Sequence, residues 1–252
     1  MSDDQGDGGL GDGQMSLMEH LTELRYRLIK AAQGVVVGLG VGIYFSEDVL
    51  SLIRAPVLKH LGPNGGLVFT GVMDKFMAHL KVGVLTGFII TCPYWLYHLW
   101  KFISPGLYKN ERRYIAGFIV AGTFLFALGV CFVYFFVYPQ AFEYLFSIGG
   151  TVDKPMITIH EYLSFFTVTT MMFGLAFELP VVLMVMAMMG VVDAPYLKKK
   201  RRHALLILAI IAAILTPPDG LSMMMMLVPL YVLYEVSIWL IHFLIKKPGE
   251  AL

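Results

Sequence analysis

Residues 198–215 read KKKRRHALLILAIIAAIL: five consecutive cations, one histidine, then twelve apolar residues. This is how a membrane span looks when it enters the bilayer from a positively charged side, and the arrangement recurs along the chain. Fourteen of the nineteen lysines and arginines fall in four short stretches, each beside a long apolar run. The stretches are the N-terminal segment (Arg25, Arg27, Lys30), the loop Lys101 to Arg113 (Lys101, Lys109, Arg112, Arg113), the run Lys198 to Arg202, and Lys246-Lys247. The loops between them are poor in basic residues. Such alternation is the positive-inside signature of a polytopic membrane protein with both termini in the cytoplasm.

Composition agrees. The chain is 58% hydrophobic and only 15% charged, with a mean hydropathy of +0.72, far more apolar than a soluble domain. We read one membrane domain, residues 15–247, between an N-terminal tail, 1–14, and a short cytoplasmic tail, 248–252. The N-terminal tail is acidic and glycine-rich, cannot bury enough apolar surface to fold, and is expected to be disordered. It does not read as a cleavable signal peptide. The net charge of +1 is sorted by membrane side and by itself says nothing about nucleic acid, and no nucleic-acid partner is expected of such a membrane domain. Cys92 and Cys131 lie near opposite ends of successive spans, so neither a disulfide nor a metal site is expected. The histidines lack metal-ligand spacing, and neither His-Glu-x-x-His nor Gly-x-Ser-x-Gly occurs. Nothing points to a protease, a hydrolase or a cofactor enzyme.

About twenty apolar helical residues cross a bilayer core of about 30 Å. Leu17, Leu21, Leu24 and Leu28 form an apolar stripe at helical spacing, predicting a surface helix that runs into span one, ending near Phe45. Ser46-Glu47-Asp48 reads as an N-cap opening an outer helix to about Leu61, followed by a turn at Gly62-Pro63-Asn64-Gly65-Gly66. Span two is expected from Phe76 to Leu99 and span three from Tyr114 to Tyr138. Thr158-Ile159-His160-Glu161 has the form of a capping box and opens span four, which reads on to about Gly190 with Pro180 as its kink. Ala204 to Leu215 is short, and Leu221 to Leu244 carries Pro229 and Glu235. Charge alone allows either two spans or one re-entrant hairpin here. We favour two short spans that thin the bilayer locally. The fold class is then all-α, with six transmembrane helices.

Several polar residues stand out. Glu178 lies deep in span four, where a carboxylate costs at least about 2.5 to 3.5 kcal/mol and is a functional candidate by default. Its structural alternative is a protonated acid bonded to a neighbouring helix, for example to a carbonyl freed by Pro180. Lys81 in span two is a possible partner for it, or snorkels to the outer surface. Glu235 in the last span is a second intramembrane candidate. Glu23 and Glu111 lie among the cytoplasmic cations. Singly, Glu23 is explained by an i,i+4 pair with Arg27, and Glu111 by an acid at a helix N-terminus. Together, two carboxylates on one face suit a ligand with paired guanidinium groups.

Four motifs in order carry a resemblance: His20-Leu21-Thr22-Glu23-Leu24-Arg25-Tyr26-Arg27-Leu28, Phe102-Ile103-Ser104-Pro105-Gly106-Leu107-Tyr108-Lys109-Asn110-Glu111-Arg112-Arg113, Phe177-Glu178-Leu179-Pro180 and Leu215-Thr216-Pro217-Pro218-Asp219. Together they resemble the TatC family, the multispanning receptor subunits of the twin-arginine protein translocase, over residues 15–247. The resemblance implies a glove-shaped six-helix protein of the bacterial cytoplasmic membrane that recognises twin-arginine signal peptides and helps move folded proteins across. It implies Glu23 and Glu111 as the arginine receptors, with Arg25, Phe102 and Leu107 as neighbouring recognition positions. Pro56 and Asp219 match sensitive outer-side positions, and Glu178 the glutamate of the concave face. Implied partners are TatB-type and TatA-type single-span subunits and further copies of the chain, with the proton-motive force as energy source. A proton-coupled small-solute transporter using Glu178, Lys81 and Glu235, and a passive membrane scaffold, are the rival readings. No duplicated halves of the kind usual in transporters are visible.

Overall fold

Gly34, Gly38 and Gly42 recur every fourth residue along one side of helix α1 (Leu17–Tyr44), and that side is where the first span docks. Its partner is α3 (Asp74–Ile90), which carries Gly83 and Gly87. A Cβ added at Gly38 would stand 2.7 Å from the Gly87 carbonyl oxygen, and one at Gly87 would stand 2.5 Å from the Leu39 nitrogen. Gly42 and Gly83 approach just as closely, and Gly34 faces the ring of Tyr94. The two backbones therefore touch, the close approach that small residues every four positions permit between membrane helices. The register is antiparallel.

The computed structural model describes residues 17–61, 66–103, 115–147, 156–216 and 220–244. The expected disordered tail, the turn after Leu61 and both chain ends lie outside the described residues. After α1 come an outer helix, α2 (Ser46–Leu61), then α3 and α4 (Cys92–Ile103), α5 (Ile115–Phe132), a π-helical turn (Val133–Val137) and α6 (Tyr138–Ser147). The chain continues through α7 (Ile159–Ala176), α8 (Leu179–Met188), the short α9 (Ala194–Lys199), α10 (Arg201–Leu215) and α11 (Gly220–Leu244). Among the described residues, four helical stretches are long and apolar enough to cross a membrane, and the bent pair α3–α4 makes a fifth. The sixth is α10, whose 15 residues reach roughly 22 Å. The protein is all-α with six membrane helices.

Span two is not the straight helix expected from Phe76 to Leu99. It bends by 58° at Thr91, because Pro93 brings no N–H to the ladder and Thr91 closes α3 instead, donating its Oγ1 to the Gly87 carbonyl at 2.7 Å. Span three runs past Tyr138, through the π turn, to Ser147, giving 33 residues. Span four is interrupted at Phe177-Glu178, just ahead of Pro180. Its start is capped as the sequence suggests: Thr158 Oγ1 accepts from the Glu161 N–H at 3.2 Å.

The outer end is tied together by unusual hydrogen bonds. Ser46 does not cap α2, since the α1 backbone bonds continue through Phe45. Its Oγ instead meets Nδ1 of His79 at 2.8 Å. Within α2, Pro56 lacks the N–H that the Leu52 carbonyl would accept from. Tyr134 of the π turn supplies that donor at 2.9 Å, and Tyr162 of α7 donates to the next carbonyl, Ile53, at 2.5 Å. Val68 forms a parallel bridge with Thr158, through Val68 N–H to Ile157 and Ile159 N–H to Val68 at 3.0 Å each. Below this cap, a core built on Tyr138, Phe142, Tyr162, Phe166 and Phe173 joins spans three and four.

Candidate functional site

Following the antiparallel register downward from Gly34 and Tyr94, residues 23–27 of α1 come level with the inner end of α4. Glu23 sits half-buried in a shallow open depression with Met18, Thr22, Tyr26 and Arg27. Its Oε1 accepts from Arg27 at 3.1 and 3.4 Å, the expected i,i+4 pair. Its Oε2 is buried and has no hydrogen-bond partner among the described residues. The cations around it are partly held by rings: Arg27 and Lys30 lie 5.8 and 5.7 Å from the Tyr26 centroid. Lys101 lies 5.4 Å from that of Tyr97 and donates to its hydroxyl at 3.1 Å.

Arg25 is exposed on the same helix, and Phe102 is half-buried at the end of α4. Leu107 and Glu111 lie outside the described residues, in the segment that starts directly after α4. The structure thus places Glu23, Arg25 and Phe102 at one end of the molecule. One oxygen of Glu23 is committed to a weak intrahelical pair, worth about 0.2 to 0.5 kcal/mol, and the other, though buried, has no partner among the described residues.

Glu178 occupies the break between α7 and α8 and is 6% exposed. Neither carboxylate oxygen has a hydrogen-bond partner among the described residues, so the interhelical bond of the structural reading is not made there. The carboxylate points at Gly122 of α5, where a Cβ would stand 2.8 Å from Oε2, with Leu96 of α4 beside it. Leu96 belongs to a buried apolar cluster with Trp95, Phe126, Val181 and Val185. A buried carboxyl without a partner is costly, and a proton or an incoming polar group would relieve it.

The other candidates are engaged elsewhere. Lys81 does not reach Glu178. It donates to Ser164 Oγ at 2.5 Å and to the His160 carbonyl at 3.4 Å. Fourteen residues, roughly 21 Å of helix, separate Ser164 from Glu178. Glu235 is not isolated at membrane depth: it accepts from Arg201 at 2.6 Å and from the Tyr231 hydroxyl at 3.1 Å. That pair sets Glu235 level with the cytoplasmic end of α10, so the part of α11 alongside α10 is as short as α10 itself. Pro56 is buried in α2, at the tyrosine clasp. Asp219 lies outside the described residues. Sequence reading overlooked Tyr134, Tyr162 and Gly122. The repeat Gly34-x-x-x-Gly38-x-x-x-Gly42 was a signal for the α1 contact, whereas nothing local marks Gly122.

Comparison with known proteins bears on this geometry. The family model described as Sec-independent protein translocase protein (TatC) matches residues 19–229. The chain is 40% identical over 220 residues to a TatC of Desulforapulum autotrophicum, covering 87% of this chain and 82% of that one. It is 36% identical to TatC of Aquifex aeolicus over 94% of this chain and 98% of that one. For Escherichia coli K12 TatC the figures are 34%, 92% and 90%. A crystal structure of the twin-arginine translocase receptor TatC in detergent superposes with a TM-score of 0.79 at 36% identity, covering 88% of this chain and 99% of that chain.

Proposed function

The chain belongs to the TatC family of Sec-independent protein translocase proteins, and from that membership we propose that Glu23 and Glu111 together receive the two guanidinium groups of a twin-arginine signal peptide. The protein is a multi-pass component of the twin-arginine translocase in the bacterial cytoplasmic membrane. The observation that carries the site is the Oε2 of Glu23, buried and without a hydrogen-bond partner among the described residues, beside a pair weak enough to yield. A bidentate, charge-assisted bond to an incoming arginine is worth about 1.5 to 3 kcal/mol, more than the intrahelical pair with Arg27 it would replace. Glu111 follows α4 by eight residues, close enough in sequence to be carried to the same face. Arg25 and Phe102 stand at the same end of the molecule, where Phe102 offers an apolar contact to the residues that follow the arginines, and Leu107 is assigned to recognition by the family resemblance.

In the same proposal, Glu178 serves a later step in the membrane, where its unpartnered carboxyl meets a polar group of a TatB-type or TatA-type single-span subunit. Transport then draws on the proton-motive force, and several copies of the chain assemble in the receptor complex. Pro56 and Asp219 act on the outer side. Lys81 and Glu235 serve helix packing, given the bonds each already makes. This reading accounts for a carboxylate held among cations at the cytoplasmic end, which a small-solute transporter does not require. A crosslinker at position 111 in inverted membrane vesicles tests it. Attachment to a twin-arginine precursor, and none to the twin-lysine form, is expected. A passive scaffold would capture neither preferentially.

A further inference from the structure

The elbow between α9 and α10 is built more firmly than a positively charged loop needs to be. Asp193 caps α9 by accepting from the Tyr196 N–H at 2.7 Å, and the Tyr234 hydroxyl donates to the Leu197 carbonyl at 2.8 Å from inside the protein. Arg201 is locked to Glu235 at 2.6 Å. The cap fixes the start of α9, and the other two ties hold residues 197–201 against α11 and neutralise one cation. Lys198, Lys199 and Arg202 are left exposed on the rigid support. One turn beyond Glu235 on the same stripe of α11 stands Trp239, 64% exposed, and just below the cations on α10 are exposed Leu205 and Leu206. Cations therefore sit at headgroup height on the cytoplasmic side, directly over an apolar floor, with the indole of Trp239, packed on Phe243, one turn to the cytoplasmic side of the Arg201–Glu235 pair.

We propose that this elbow is a binding site for an anionic phospholipid of the cytoplasmic leaflet. Lys198, Lys199 and Arg202 hold the phosphate, Leu205 and Leu206 pack along the upper acyl chain, and Trp239 stands beside the headgroup. The positive-inside bias by itself asks only for cations somewhere in the loop. Fixed cations over an exposed apolar floor match both halves of a charged lipid, and basic surfaces between helices on this side suit anionic headgroups. A soluble anion or an acidic peptide would have no use for the floor.

Trp239 provides the readout, because Trp95 and Trp100 are buried at 8% and 4% exposure. The full chain is placed in nanodiscs of phosphatidylcholine and phosphatidylglycerol, with bromine on the acyl chains of one lipid or the other at equal mole fraction. Quenching of Trp239 by the brominated anionic lipid should correspond to a local enrichment of about threefold or more. The Lys198→Gln/Lys199→Gln/Arg202→Gln variant should bring the two lipids to parity, while Lys75→Gln at the outer end of α3 leaves the preference intact. Should the triple variant fold poorly, a salt series on the unaltered protein decides. Going from about 0.1 M to about 1 M shortens the screening length from about 10 Å to about 3 Å and should erase the preference. Equal quenching by both lipids at low salt, or a preference that survives the triple substitution or the salt, overturns the proposal.

Discussion

Tyr134 donates its hydroxyl to the Leu52 carbonyl at 2.9 Å, the acceptor that Pro56 leaves without its helical partner. Span three thus repairs a defect in the outer helix, and the repair holds the two elements together. Tyr134→Phe should cost about 0.5 to 1.5 kcal/mol of stability, read as a lower unfolding temperature in detergent. Pro56→Ala returns an N–H to the helix, so in that background the same Tyr134→Phe change should cost much less. An equal loss in both backgrounds would mean that the tyrosine does not stand in for the missing donor.

The α1–α3 contact makes a sharper stability test. Gly38→Ala and Gly87→Ala each force a methyl against backbone, at 2.7 and 2.5 Å, and should destabilise by about 1 to 3 kcal/mol. Gly40→Ala meets nothing within 4 Å and should be neutral or slightly stabilising. Thermal unfolding of the three variants separates packing from helix propensity. If all three behave alike, the glycines are not spacers.

What the sequence made legible was whatever depends on one segment at a time. Charge beside apolar runs marked the membrane helices and their orientation, Pro180 marked a break, and Thr158 marked a cap. A carboxylate inside an apolar run drew attention to Glu178 without reference to any other helix. The partners were not legible, because they come from elsewhere in the chain. Arg201 and Glu235 are 34 residues apart, Tyr134 and Leu52 are 82, and Lys81 and Ser164 are 83. The bend at Thr91 was missed for a different reason. Pro93 falls in the first turn of α4, where proline is well tolerated, so an uninterrupted apolar run hides a change of direction.

Topology at the C-terminal end follows from two short spans. A cysteine at position 219 should label from outside in intact cells with a membrane-impermeant maleimide, and one at position 200 should label only after the membrane is opened. Protection of both positions from outside would restore the re-entrant hairpin.

Glu178 and Gly122 should act as one unit, since the carboxylate occupies the space the glycine leaves. Glu178→Gln should remain stably inserted and still crosslink to precursor, while docking of a single-span subunit or transport declines. Gly122→Ala pushes a methyl into the carboxylate at 2.8 Å and should reproduce that phenotype. The double variant should be no worse than Glu178→Gln alone. Disappearance of Glu178→Gln from the membrane would instead make the carboxyl a folding element.

The receptor site carries the largest expected effects. Losing one charge-assisted bond of about 1.5 to 3 kcal/mol should weaken signal-peptide binding by roughly ten- to a hundredfold. Glu23→Ala and Glu111→Ala should each reduce crosslinking to a twin-arginine signal by that order, and the double change should nearly abolish it. Glu111→Asp should do less harm, because it keeps the charge and shortens the reach by one methylene. Arg27→Gln frees the occupied Oε1 of Glu23 and so should not imitate Glu23→Ala. A twin-lysine signal should bind poorly even to the unaltered protein, because an ammonium cannot reproduce the planar fork. Crosslinking yield at matched protein level decides the matter: a double mutant that holds the twin-arginine peptide as well as its parent leaves no role for the paired carboxylates.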